Sequence, residues 1–368
     1  MRIGILKQIQ LQERRIPLVP AGAHLLASRG HSVFVEHEAG LPAGFTDDDY
    51  LAAGAGIVYS RSEAVGRAEL VLGVAPVQPE DISHLLPNQT LMTFGHLVTL
   101  RPETFRGLCD KSITAVAYEL IENDQRRRPI VEVMGEIAGP MAVTMAARFL
   151  ESHQGGRGVL LGGLPGTPPS HVVVIGGGNV GMAAVRAALG LGAQVTLVDK
   201  DPEPLRNAAI QFDRRVTTYL SYRYNLERVL PTADVVIGAV WVYGGRPPIL
   251  ITREMVRSMK PGSVIVDCSI DQGGICETGR PTSFADPVFV VDKVIHCCIP
   301  NMPASVARTA SFALANALFP YVRNLAEGGL EKVLEDQPNF SEGIYVRDGR
   351  MAHPAMEMFA ADTASVSY

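Results

Sequence analysis

A chain of 368 residues with 47% hydrophobic composition is long enough to bury two cores. Its 33 basic and 38 acidic side chains leave a formal charge of −5 with no long basic tract, which argues against nucleic acid as the main partner. No uninterrupted apolar run approaches the roughly 18 residues that span a bilayer, and no signal-peptide core follows Met1.

Residues 1 to about 130 repeat a strand-then-helix rhythm. Apolar strands are expected at 3–6, 32–36, 56–59, 70–74, 90–94 and 113–118, with helical patterns such as 21–29 and 102–111 between them. This alternation implies an α/β fold, a parallel sheet with helices on both faces. Two segments invite a chemical reading. Arg15, in Glu13-Arg14-Arg15-Ile16-Pro17, falls in the loop after the first strand, where ligands of open α/β sheets gather. It could grip a carboxylate through paired hydrogen bonds, or be a solvent-exposed, salt-bridging arginine. His96 follows the strand ending at Phe94 and is either an acid–base group or a structural histidine. Arg126, Arg127 and Arg128 read as a solvated loop. A helix is expected over 134–150, either starting at Pro140 or kinked there. The glycine- and proline-rich stretch 155–169 suits a loop or hairpin.

The stretch 172–199, VVVIGGGNVGMAAVRAALGLGAQVTLVD, holds a strand, a glycine turn, a helix and a second strand. Gly176, Gly178 and Gly181 stand at G-x-G-x-x-G spacing, with Asn179 and Val180 opening the helix. The glycines permit a tight turn, close approach of a pyrophosphate and close helix–strand packing, and the phosphates would sit on the helix N-terminus. Asp199 ends the second strand, 23 positions after Gly176. A carboxylate there accepts from ribose hydroxyls and repels a 2′-phosphate, so NAD is favoured over NADP. Further strands at 216–220, 233–239, 263–270 and 288–291 bring the count to about six. Asp271, just past the strand 263–270 and before Gln272-Gly273-Gly274, is a candidate acid or a turn-capping residue. Asn301 precedes Met302-Pro303, and a helix over 304–318 could return the chain to the first domain, on which the polar tail from Glu327 would pack. Five cysteines without C-x-x-C spacing suggest reduced thiols in a cytoplasmic protein, with no metal site, and Cys297 and Cys298 suit burial on opposite faces of a strand.

Taken together, these segments closely resemble the NAD-dependent alanine dehydrogenases and the first domain of nicotinamide nucleotide transhydrogenase. The likeness is carried by ERR-x-PL-x-P, GEIAG, QGGRGVLLGGLPG, VIGGGNVG, MKPGSVIVD, DQGG and NMPASVARTASFALANALFPYV. It implies two Rossmann-like doubly wound domains: a discontinuous substrate domain, 1–133 with 305–368, and an inserted NAD domain over 134–304, with the active site in the cleft between them. By position it implies Arg15 and Asn301 as substrate contacts and His96 and Asp271 as acid–base groups. Gly176, Gly178, Asn179, Val180, Gly181, Asp199, Ser221, Arg280, Asn301 and Met302 match cofactor contacts. The implied reaction is reversible oxidative deamination of a small L-amino acid to a 2-oxo acid and ammonia. The implied assembly is a homo-oligomer, by family a hexamer. Three departures stand out. The family's substrate-binding lysine falls on Ala75, and a second lysine on Gly73. A serine at the start of the inter-domain helix is replaced by Gly135, removing a preferred N-cap. Trp241 and Tyr243 occupy an otherwise aliphatic segment. A lysine-free pocket leaves room for two further readings: reductive condensation of a 2-oxo acid with an amino acid's amine, as in carboxyethylornithine synthases, and a non-catalytic NAD-binding sensor.

Overall fold

The structure is a computed structural model that describes residues 1–10, 12–97, 100–242 and 245–354. It divides into two compact units: Met1–Met134 with Ala304–Tyr368, and Gly135–Pro303.

In the first unit, β1 (Arg2–Ile5), β2 (Ser32–Glu36), β3 (Gly56–Val58), β4 (Leu70–Leu72), β5 (Thr90–Thr93) and β6 (Thr114–Ala117) pair in parallel in the order β3-β2-β1-β4-β5-β6. In the second, β7 (His171–Ile175), β8 (Gln194–Asp199), β9 (Val216–Leu220), β10 (Val235–Gly238), β11 (Val264–Asp267), β12 (Phe289–Val291) and β13 (Val294–Cys297) form a sheet ordered β12-β13-β11-β10-β7-β8-β9. All its pairings are parallel except β12 with β13. The order reverses beside β1 in one sheet and beside β7 in the other, so a crevice opens there at the carboxyl ends of the strands.

The strands explain the cores. Val172, Val173, Val174, Val235, Val236, Ile237, Val264, Ile265 and Val266 are all fully buried. Alternate members pack on opposite faces of the sheet, Val172 and Val174 with Ala184 and Ala188, Val173 and Ile175 with Leu226 and Val256. Runs apolar on both faces need helices on both sides. Each such side chain contributes roughly 1.5–3 kcal/mol by leaving water. Cys297 and Cys298 are both buried as well.

Several expectations change. The helix expected over 134–150 runs Pro129–Phe149, with Pro140 inside it. Pro129, whose missing N–H costs nothing in the first turn, starts the helix instead. Gly135 is therefore an interior residue and no N-cap: a Cβ there would lie 3.0 Å from Asn179 Cβ, and one on Gly139 would lie 2.5 Å from the Val180 carbonyl oxygen. Both glycines serve close helix packing. The same helix is long and apolar enough to cross a membrane by length and composition, with a mean hydropathy of 1.4. Glu132, Glu136 and Arg148 interrupt its apolar sequence, so the expectation that no unbroken apolar run reaches that length still holds for it. Ala142, Val143, Ala146 and Phe149 are nevertheless buried in the core of the chain itself.

The strand expected over 263–270 ends at Asp267, whose carboxylate accepts from Ser269 N and caps the turn Cys268–Gln272. The helix expected over 304–318 begins as a 3-10 turn, Met302–Val306, and continues over Ala307–Asp336 with a non-helical break at Gly329. The tail adds β14 (Ile344–Arg347) and β15 (Arg350–Met351), antiparallel strands that extend the first sheet beyond β6.

Candidate active site

In the first unit the site residues stand past the carboxyl ends of β1, β4 and β5, on either side of the crevice. Arg15 is buried, contrary to an exposed salt-bridging role, yet it is salt-bridged. Its Nε donates to Glu13 Oε1 at 2.8 Å and its Nη2 to Glu13 Oε2 at 2.6 Å, while Nη1 donates to Met134 Sδ at 3.2 Å. Two of the guanidinium's five N–H groups remain, one on each terminal nitrogen, spaced to meet a carboxylate end-on. The guanidinium carbon lies 5.0 Å from the centre of the Phe94 ring. The same ring meets His96 edge-on at 6.1 Å. Thus Phe94 links the two residues that the sequence marks separately. His96 has a left-handed backbone, φ 44°, which costs a non-glycine residue roughly 1–3 kcal/mol. The Glu119 carboxylate accepts from Gly95 N at 2.9 Å and from His96 N at 2.7 Å.

Ala75 leads away from β4, its amide donating to Gln8 Oε1 at 2.9 Å. It and Gly73 border a cavity shared with Gln8, Gln10, Thr93 and Arg61. Arg61 is the cation among the lining residues, and it is matched by Asp81 and, at 3.8 Å, by Glu36. Among the described residues, this lining holds no uncompensated positive charge.

In the second unit the glycine turn has the geometry its spacing implies. Gly176 takes φ 104°, and a Cβ on Gly181 would lie 1.8 Å from the Gly176 carbonyl oxygen, so only glycine lets this helix sit on the strand. A Cβ on Gly178 would meet nothing within 4 Å. Gly178 caps the helix Asn179–Gly190 without a side-chain hydrogen bond, so the first-turn N–H groups of Asn179 and Val180 face an anion-ready N-terminus. Asp199 Oδ2 accepts from Gly177 N at 2.6 Å and Oδ1 from Asp201 N at 2.8 Å, which fixes the carboxylate at the end of β8. Ser221 follows β9, and its hydroxyl oxygen is buried without a hydrogen-bond partner. A buried hydroxyl lacking a partner costs about 1–3 kcal/mol, which a ligand group would relieve. These residues fit a dinucleotide.

Asp271 lies in the turn capped by Asp267, and Asn301 N donates to its Oδ1 at 3.1 Å. Asn301 itself has φ 52°, and Met302 is buried in the core behind it. Burial pushes the Asp267 carboxyl up, while backbone N–H groups of Ile275 and Ser269 pull it back. The Arg280 guanidinium lies over the Phe289 ring at 4.3 Å from its centre. Trp241 is 45% exposed, and Tyr243 lies outside the described residues.

Comparison with known proteins places this geometry. Residues 4–138 match the alanine dehydrogenase/PNT N-terminal domain and residues 142–354 the corresponding C-terminal domain. The chain belongs to the alanine dehydrogenase/PNT family. It is 45% identical to an alanine dehydrogenase of Halomonas elongata over 97% of this chain and 96% of that protein. It is 40% identical to an alanine dehydrogenase of Bacillus subtilis over 97% and 94%. A solved L-alanine dehydrogenase superposes with a TM-score of 0.93 at 42% identity, covering 98% of this chain and 99% of that one. A transhydrogenase from Sinorhizobium meliloti shares the fold, with a TM-score of 0.82 at 24% identity over 96% and 100%.

The sequence alone passes over four residues that contact or support the candidate site residues in this structure. Glu13 braces Arg15, Phe94 joins Arg15 to His96, Glu119 holds the His96 turn, and Asp267 caps the Asp271 turn. Glu13 and Phe94 adjoin the marked residues in sequence and answer the question of what holds a buried guanidinium. Glu119 is 23 positions from His96, and only the pairing of β5 with β6 brings them together.

Proposed function

We propose that this chain is an NAD-dependent amino-acid dehydrogenase, interconverting a small L-amino acid with its 2-oxo acid and ammonia. The observation that carries the reading is the Arg15–Phe94–His96 array in one unit of a family member whose other unit has the glycine turn, Asp199 and the orphaned Ser221 hydroxyl. In this reading Arg15, braced by Glu13, pairs with the substrate carboxylate through its two remaining N–H groups. His96 exchanges the proton that the amine or the attacking water gives up or takes back, and Asp271 is the second acid–base group. The helix N-terminus at Asn179 and Val180 would hold the pyrophosphate, Asp199 the ribose hydroxyls, and Ser221 Oγ, Arg280, Asn301 and Met302 further parts of the dinucleotide. NAD, when bound, supplies the acceptor for the hydride leaving C2.

The second reading rests on Ala75. With no uncompensated cation among the described residues lining its cavity, the carbonyl-polarising contact of a lysine is missing in this reading, and losing one transition-state donor costs about a hundredfold to a thousandfold in rate. A site remodelled for a bulkier amine would explain the loss. Turnover separates the readings: NAD reduction by a panel of amino acids, and NADH oxidation with 2-oxo acids and varied amines, for the natural chain and for Ala75→Lys. If alanine is the native substrate, the natural chain turns it over slowly and Ala75→Lys raises the rate. If the native amine is larger, Ala75→Lys lowers the native activity. Absence both of NADH formation with every amino acid and of NADH oxidation with every 2-oxo acid and amine, together with intact NAD binding, would leave only a sensor.

A further inference from the structure

We propose that Glu119 is a positioning residue that sets the His96 imidazole by gripping the backbone on which it is mounted, an assignment that rests on His96 as the acid–base group. The turn after β5 is unusual in three respects that converge on one carboxylate. Gly95 N points at both oxygens of Glu119, at 3.1 and 2.9 Å, and His96 N points at Oε1 at 2.7 Å. His96 is held at φ 44°, a conformation its side chain does not favour. Gly95 has no space for a side chain, since a Cβ would lie 2.8 Å from Ala117 Cβ and 3.4 Å from Glu119 Oε1.

Two adjacent N–H groups aimed at one acceptor make a small anion-binding concavity. Here the anion is a side chain of the protein, delivered by the 3-10 turn Tyr118–Leu120 that ends β6. The register of β5 against β6, with Thr93 opposite Ala117, brings the two turns side by side. Glu119 is backed by Tyr345 of β14, whose phenol is pushed well up by burial and further by the Glu119 charge. A charge-assisted grip in partly dry surroundings is strong enough to hold a left-handed residue that would otherwise relax to φ below zero. Such relaxation would redirect the imidazole relative to the Phe94 ring, which it meets edge-on at 6.1 Å.

The test is steady-state kinetics of the full-length enzyme in both directions, with NADH affinity measured separately, for Glu119→Gln, His96→Ala and the double variant. Glutamine removes the charge and turns one of the two acceptor oxygens into an NH2 group that faces Gly95 N, so the grip is weakened while size is kept. A misplacement on the order of 1 Å costs about a hundredfold. The expected result for Glu119→Gln is a fall in kcat of about tenfold to a hundredfold, with the 2-oxo acid KM and NADH affinity unchanged, because Arg15 and the second unit are untouched. In the His96→Ala background the same change should lower kcat no further, since nothing remains to be positioned. If His96→Ala is too slow to measure, the split between kcat and KM decides. Glu119→Asp, which keeps the charge but shortens the reach, gives the same reading should Glu119→Gln fail to fold. Wild-type kcat in a folded Glu119 variant, or a full additional loss in the double variant, overturns the proposal. Wild-type kcat in His96→Ala would instead overturn the assignment of His96 itself.

Discussion

The two sheets share one strand order, β3-β2-β1-β4-β5-β6 in the first and β9-β8-β7-β10-β11-β13 in the second, yet their crevices are furnished differently. In the second, β7 turns at once through Gly176 and Gly178 into a helix, so backbone N–H groups form the site. In the first, a long loop separates β1 from the helix Pro20–Ala27, and the site is built from side chains: a guanidinium, an imidazole and the ring between them. In the proposed reading, topology sets where each crevice lies, and the first crossover sets what kind of ligand it suits. Bare backbone suits phosphates, which many proteins must hold alike, whereas side chains suit the recognition of one substrate among many.

The contrast should show most strongly at Arg15. Arg15→Lys removes the planar fork and leaves Glu13 partly paired in a buried place, so kcat/KM for the amino acid should fall about a hundredfold. NAD affinity, which the proposed function assigns to the other unit, should stay as it was. Unchanged kcat/KM would show that the guanidinium only braces the loop. A smaller effect is expected on the backbone-built side, where Asp199→Ala should weaken NAD by about tenfold, the worth of a charge-assisted hydrogen bond, and bring NAD and NADP closer. Equal affinities in the natural chain would remove the role assigned to the carboxylate.

The smallest effect separates the sheets by pH. The strands of the first sheet carry no histidine among the described residues, but β7 carries His171 and β13 carries His296. His296 Nδ1–H donates to the Val294 carbonyl at 3.0 Å, and Nε2 accepts from the Thr278 hydroxyl at 2.7 Å. Burial holds both imidazoles below the ordinary value of 6.5, so the folded state keeps them neutral. Their contribution is complete above pH 6.5 and is lost as pH falls below it, because the unfolded chain then binds protons that the folded chain refuses. Each tenfold drop in proton affinity on folding is worth about 1.4 kcal/mol. Thermal unfolding midpoints should drop between about pH 7 and about pH 5, and His296→Asn should flatten that slope. His353, beside β15, is shifted the same way, so the contrast is one of degree.

Much of this architecture is legible in the order of the amino acids. Buried parallel strands announce themselves as β-branched runs, and six of the first sheet's eight strands and most of the second's are readable for that reason. The glycine turn and Asp199 are local, since strand, turn and helix are contiguous in sequence. What stays hidden is of two kinds. Helix ends escape the sequence where a proline inside a helix has the look of a boundary, as with Pro140, or where a loop turn runs on into a helix, as before Ala307. The supports of the site are hidden because they act across strands. Nothing in the sequence around Glu119 points to His96, and a carboxylate after a strand reads as a surface charge until β5 and β6 are laid side by side.

The pairing of β14 with β6 has a consequence for how this protein is made. The first sheet is completed by residues 344–351, late in the chain, whereas the second unit is continuous from Gly135 to Pro303. During synthesis the second unit can fold as soon as it leaves the ribosome, while β6 waits with an unpaired edge until residues 344–351 arrive. Limited proteolysis of chains stalled after Glu335 should therefore yield a resistant core from the second unit and cleavage within the first.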